Sequence, residues 1–182
     1  RHLKLGDACP MTFCGVPYLD TLFTKRFAAA TIGNVALTEA VRDKELVLTV
    51  AAHLIKNGEK VTAGSILSNL KYLVRTPGHF FPGAARAIWS QYSPPGSSCF
   101  DPFLGWGGRT LGALCASITR FVGCDLQSET VEACRALASN FAELTPTRCE
   151  FHCSDVLTFL RSTDEQFGMI FTSPPYMDTE DY

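Results

Sequence analysis

The spacing of apolar positions along the chain changes near Ser93-Pro94-Pro95-Gly96. Before that point it is helical. A segment beginning at Thr38-Glu39-Ala40-Val41 carries Val41, Leu46, Val47, Val50, Leu54 and Ile55 at intervals that suit one helix face, and Asn57-Gly58 ends it. Thr62 is placed to cap a second helix bearing Ile66, Leu67, Leu70 and Leu73, which Pro77-Gly78 stops. A third helix is predicted from about Pro82 through Ala87, Ile88 and Trp89. The stretch before Thr38, broken by Gly and Pro and rich in aromatics, yields no assignment.

After Gly96 short apolar runs alternate with helical ones: Ser98–Phe103, Arg109–Ser117, Arg120–Cys124, Ser128–Phe141, Cys149–Cys153, Val156–Leu160 and Phe167–Thr172. Strands and helices in strict alternation predict parallel strands joined by right-handed crossovers, with ligands gathered at the carboxyl ends of the strands. The expected architecture is therefore α/β, a Rossmann-like parallel sheet with flanking helices over residues 94–182, preceded by a mostly helical region over residues 1–93.

Composition narrows the picture. With 182 residues, 46% of them hydrophobic, the chain can bury a core. No apolar run approaches the roughly 20 residues that span a bilayer, and no secretory leader is legible, so a soluble intracellular protein without a membrane partner is expected. A formal net charge of −2 excludes a wholly basic surface, so any nucleic-acid contact needs a local patch. The eight cysteines include Cys99, Cys115, Cys124 and Cys134 inside periodic apolar segments, which fits reduced thiols better than a disulfide framework. Cys149 and Cys153, with His152 between them, invite a zinc reading, but no second ligand pair follows at a suitable spacing, so buried strand cysteines and no metal are expected.

The run from Asp101 to Gly108, Asp-Pro-Phe-Leu-Gly-Trp-Gly-Gly, leaves a strand and enters a helix. Glycines there allow a sharp turn and close approach of backbone to a ligand. Asp125 ends the next strand, 20 positions beyond Gly105, where a carboxylate can accept from both hydroxyls of a ribose. A dinucleotide fingerprint would place a third glycine where Thr110 stands, which demotes nicotinamide and flavin. These residues resemble the class I methyltransferase pattern, whose first motif reads Asp-Pro-Phe-x-Gly-x-Gly and whose second is the acid of the following strand. The resemblance implies S-adenosyl-L-methionine as cofactor, held by the loop from Asp101 through Phe103, Gly105 and Gly107, with Asp125 on its ribose. Ser154-Asp155-Val156 resembles the family segment whose acid approaches the adenine amine, while Asp155 equally suits a helix N-cap.

Phe167–Thr172 reads as a buried strand running into Ser173-Pro174-Pro175-Tyr176. Two prolines remove two amide donors and stiffen the backbone. Taken alone this is a rigid loop; at the end of the fourth strand after the glycine loop it is a candidate catalytic motif. An aromatic amine is a poor nucleophile because its lone pair is delocalised, so acceptors that bind its hydrogens favour a more tetrahedral nitrogen. The Ser173 oxygen and Pro174 carbonyl are candidate acceptors, and Tyr176 offers a face for stacking a flipped or single-stranded base. The tetrapeptide resembles the Asp/Asn/Ser-Pro-Pro-Tyr motif of the DNA amino-methyltransferases, which act on cytosine N4 or adenine N6. That resemblance covers roughly Thr76 to Tyr182 and implies a nucleic-acid partner, DNA ahead of RNA. Amine methylation of RNA or of protein glutamine, and a non-catalytic module that keeps the cofactor fold, stand as alternatives. Thr76–Pro82 resembles the segment that closes over the methionine end of the cofactor, and a packing role for Phe80 and Phe81 is an equal reading. The complete family fold has about three further strands, so the chain is expected to be a fragment or a degenerate relative.

Overall fold

The computed structural model describes residues 15–29, 34–116 and 118–174. Its contacts divide the chain into two units, one formed by the described residues up to Phe23 together with His79–Pro174, the other by Thr24–Gly78.

The first unit is an α/β, Rossmann-like domain. Four strands, β1 (Ser98–Asp101), β2 (Arg120–Asp125), β3 (Arg148–Cys153) and β4 (Met169–Ile170), form one parallel sheet in the order β3-β2-β1-β4. In register, Ser98 lies beside Arg120, Cys99 beside Met169 and Phe121 beside Cys149. The chain winds outward from β1 through β2 to β3 and then returns to the other side of β1, which makes the β1/β4 boundary the topological switch point. The described helices of this unit are α1 (Val16–Leu22), α5 (Pro82–Tyr92), α6 (Gly108–Leu114), α7 (Ser128–Phe141) and α8 (Val156–Arg161).

Period-two alternation assigns the strand side chains to opposite faces. Cys99, Phe121 and Phe151 join Trp89, Leu111, Leu114, Val131 and Leu137 in the larger core under α5, α6 and α7. Phe100, Val122 and Cys124 meet Phe159 of α8 on the other face. Trp89 is fully buried, edge-on to Phe121 and Phe171 at centroid distances of 5.7 and 5.1 Å, and its indole Nε1 donates to the Arg109 carbonyl oxygen at 3.1 Å. Helix α1, which lies in the unassigned stretch before Thr38, packs against α7 through Tyr18 and Phe141, with centroids 6.1 Å apart.

The second unit contains a 3₁₀ helix (Thr24–Phe27) and the helices α2 (Leu37–Ala40), α3 (Lys44–Lys56) and α4 (Ala63–Leu73) around Leu37, Ala40, Val50, Leu54, Leu70 and Val74. The helix expected from Thr38 to Asn57 is broken at Val41–Asp43, because the Asp43 carboxylate caps a fresh start by accepting from the Glu45 and Leu46 amides at 3.0 and 3.1 Å. Thr62 caps α4 as its position predicts, in a reciprocal capping box with Ser65. The last strand is much shorter than Phe167–Thr172. Gly168 and Phe171 still donate to Ser98 and Phe100 across the β1 edge, at 2.9 and 3.1 Å.

Close packing of α5 on α6 depends on Gly112. A Cβ there would stand 2.4 Å from Ala85 Cβ and 2.7 Å from the Arg86 backbone nitrogen, neither of which can rotate away. Alanine gains about 1 kcal/mol of helix propensity over glycine in a helix interior, but overpacking costs about 1–3 kcal/mol or more when backbone must shift. We expect Gly112→Ala to lower the unfolding free energy by about 1–3 kcal/mol, measured by urea denaturation; an increase would show that the α5–α6 contact is looser than described.

Candidate active site

Because β1 alternates, Asp101 points to the same face as Cys99, toward the first turn of α6. There Arg109 meets it: Nε donates to Asp101 Oδ2 at 2.8 Å, and both side chains are buried. Arg109 Nη2 also donates to the Phe103 carbonyl oxygen, and its guanidinium carbon lies 5.8 Å from the centroid of the Phe80 ring. The Phe103 amide donates to Asp101 Oδ1 at 3.3 Å. Burial pushes the Asp101 carboxyl above the usual carboxylate range, and the guanidinium opposes that shift. The pair thereby ties the end of β1, the glycine loop and the start of α6 into one piece.

The glycines of the loop divide the work. Gly105, at φ 56°, has room for a Cβ at ordinary contact distance, the nearest atoms being Arg109 Nη2 at 3.8 Å and the Phe103 carbonyl oxygen at 3.9 Å. Gly107, at φ 77°, instead faces the Phe23 ring, which a Cβ would meet at 2.4 Å. The loop turns across β2, where Leu104 donates its amide to the Cys124 carbonyl at 3.0 Å and sits over Gly123.

Asp125 stands at the end of β2, half-buried. Its Oδ2 accepts from the Gly105 amide and its Oδ1 from the Gln127 amide, each at 3.0 Å. Burial raises its carboxyl above the ordinary value, opposed by those amides and by Arg109. A carboxylate oxygen can accept more than one hydrogen bond, so Asp125 keeps capacity for further donors such as a vicinal diol. Asp155 follows β3 and caps α8, its Oδ1 accepting from the Leu157 and Thr158 amides at 3.0 and 3.1 Å. Ser173, half-buried, and Pro174, exposed, follow β4; the buried Thr172 hydroxyl before them lies beside the Asp101 carboxyl. Since all four strands are parallel, Gly105, Asp125, Asp155 and Ser173 occupy the same edge of the sheet. Pro175 and Tyr176 lie outside the described residues.

His79 escaped the sequence reading although its segment had been singled out. Its Nδ1 is 2.7 Å from the Trp106 carbonyl oxygen and must donate to it, since a carbonyl can only accept, and its Nε2 is 2.8 Å from Asp20 Oδ1. With the side chain only 2% exposed, the imidazole pins the middle of the glycine loop to α1. Arg109 was equally unread: in the sequence it is one more arginine after Gly-Gly. Cys149, Cys153 and His152 are not drawn together. Cys149 packs on the core with its thiol pushed up to about 12 by burial, Cys153 Sγ lies 3.5 Å from the Leu126 carbonyl oxygen, and His152 rests on the Phe159 ring.

A parallel sheet with this switch point, a glycine loop after β1 and an acid at the end of β2 defines the class I methyltransferase type of site. The family described as conserved hypothetical protein 95 matches residues 84–182, more than half of the chain, and the chain belongs to that family. These are RsmD-like S-adenosylmethionine-dependent methyltransferases, so the protein is a methyltransferase enzyme with S-adenosylmethionine as its cofactor. No curated protein matches the chain. Among the described residues, no helix is long and apolar enough to cross a membrane.

Removing one partner of a buried ion pair strands the other charge, at a cost of about 3–5 kcal/mol, whereas replacing both by apolar groups is often close to neutral. Arg109→Met is therefore expected to destabilise the protein by about that amount and Asp101→Leu/Arg109→Met to recover part of it, read by urea denaturation. A single variant as stable as the wild type would refute this account.

Proposed function

We propose that the protein transfers a methyl group to the exocyclic amine of a nucleic-acid base. The observation that carries this reading is the position of Ser173 and Pro174, at the carboxyl end of β4 and beside the Asp101 loop across the switch point. S-adenosylmethionine supplies an electrophilic sulfonium methyl. The room at Gly105 and the accepting capacity of Asp125 fit its ribose, and Asp155, whose Oδ2 has no protein donor among the described residues, is suited to the adenine amine.

On the substrate side the chain's own groups do the chemistry. The Ser173 hydroxyl oxygen and the Pro174 carbonyl oxygen accept the two amine hydrogens, which concentrates the nitrogen lone pair toward the methyl donor. Pro174 and Pro175 hold those acceptors still, which limits the loss of orientation that a mobile loop would impose. Tyr176 stacks the base. The Ser-Pro-Pro-Tyr motif favours DNA, while membership of an RsmD-like family favours RNA; the amine chemistry is the same for both.

With radiolabelled S-adenosylmethionine, methyl transfer to single-stranded DNA, duplex DNA or RNA decides the substrate. In whichever is methylated, Tyr176→Ala is expected to slow transfer at least tenfold, since stacking is worth roughly 1–3 kcal/mol per base, with cofactor affinity nearly unchanged. Pro174→Ala is expected to have a smaller effect. Transfer at the wild-type rate in both variants, or no transfer to any nucleic acid by a cofactor-binding wild type, would refute the assignment.

Asp125 has a pH signature. The ribose hydroxyls favour the ionised carboxylate, so cofactor affinity should fall on acidification, beginning above the usual carboxylate range near pH ~4 because burial has raised this group. Asp125→Ala is expected to weaken binding by about 1–3 kcal/mol and to remove that acid dependence, both by calorimetry. An unchanged profile would take Asp125 out of the site.

A further inference from the structure

The slight overall acidity conceals a segregation of charge. From Thr24 to Gly78 the sequence holds eight Lys and Arg against four Asp and Glu, a formal +4 in a chain of −2. All four acids, Glu39, Asp43, Glu45 and Glu59, belong to the α2–α3 stretch and the turn after it. From Lys60 to Gly78, which includes the whole of α4, there is no carboxylate, nor is there one in the 3₁₀ helix.

Near the end of α4 two basic groups, the buried Arg26 and the half-buried Lys71, share one aromatic ring. The Arg26 guanidinium carbon and the Lys71 ammonium lie 4.5 and 4.8 Å from the centroid of the Phe27 ring. Tyr72, next to Lys71, is 87% exposed, and Arg75 beyond it is exposed too. An aromatic side chain held almost wholly in water forfeits the burial that ordinarily justifies it. Arg75 adds an independent oddity: its φ is 50°, the left-handed conformation that helix ends ordinarily give to glycine, with the Thr76 amide donating back to the Lys71 carbonyl at 3.1 Å. A side chain kept where glycine fits with less strain points to a use for that side chain.

We propose that the end of α4 is a binding surface for a single strand of nucleic acid, with Arg75 on a phosphate and an unpaired base stacked on Tyr72. Positive charge tracking a backbone beside an exposed aromatic platform is the combination that single strands select. This rests on the proposed function and adds to it a strand-binding surface outside residues 84–182.

The test is fluorescence anisotropy with labelled 20-nucleotide DNA and RNA of mixed sequence across a salt series, using the full chain. Tyr72→Ala should weaken binding roughly 5- to 150-fold at all salt concentrations, the range for losing one stacked base. Arg75→Gly should leave the thermal midpoint unchanged or raise it, since glycine relieves the left-handed strain, yet weaken binding and reduce the salt slope by about 0.7, the value for one phosphate contact on a single strand. Exposed Arg148 and Arg161 in the other unit serve as controls, and their alanine variants should bind as the wild type does. Wild-type affinity and slope in the combined Tyr72→Ala/Arg75→Gly variant would overturn the proposal. So would binding that poly-glutamate competes away equally well with and without Tyr72, the mark of a plain polyanion or acidic-protein surface. Strand binding that depends on Tyr72 and Arg75 without methyl transfer would sink the catalytic reading and leave this surface standing.

Discussion

The ion pair between Asp101 and Arg109 is the constraint on which the α/β unit turns. A buried carboxylate at the tip of β1 is untenable without a partner, and Arg109 reaches it only if α6 starts immediately after the loop and the loop bends back over β2. The same guanidinium holds the Phe103 carbonyl and lies over Phe80, while its own backbone carbonyl receives the Trp89 indole. One residue thus links strand, loop and two helices. The glycine loop is thereby held by the chain's own side chains.

Around that pair, small residues set distances that larger ones could not. Gly107 admits Phe23, Gly108 admits the Phe80 carbonyl and Gly112 admits Ala85, so that α1, the segment before α5, and α5 close on α6. Gly105, by contrast, would bring a Cβ no closer than 3.8 Å to its neighbours. Three of these four glycines therefore serve packing, while the Gly105 amide is bonded to the Asp125 carboxylate. His79 supports the same loop from the other side, through the Trp106 carbonyl.

In a chain of net charge −2, the stretch from Thr24 to Gly78 carries a formal +4. Carboxylates at the start of α3 stabilise that helix, where a negative charge meets the positive end of the helix dipole and Asp43 satisfies two amides. No carboxylate lies within α4 itself. Screening in physiological salt limits the reach of each surface charge to neighbours within roughly 8 Å.

Alternating apolar runs, the capping positions and the placement of Gly105, Asp125, Asp155 and Ser173 after successive strands were all legible in the sequence. They are local facts, fixed by the periods of strand and helix and by backbone chemistry within a few residues, and right-handed crossovers carry them to one edge of a sheet. Other features depend on residues far apart in the chain. That His79 reaches both Asp20 and Trp106, that Gly107 accommodates Phe23, that β4 pairs with β1 over only two residues, and that Arg26 and Lys71 share one aromatic ring are decided by packing, which no spacing encodes. The break at Asp43 shows the two kinds of information in competition. A continuous apolar stripe from Val41 to Ile55 asks for one helix, but a carboxylate that can cap two amides offers the chain a second start, and tertiary burial of Leu37 and Ala40 with Val74 accepts it.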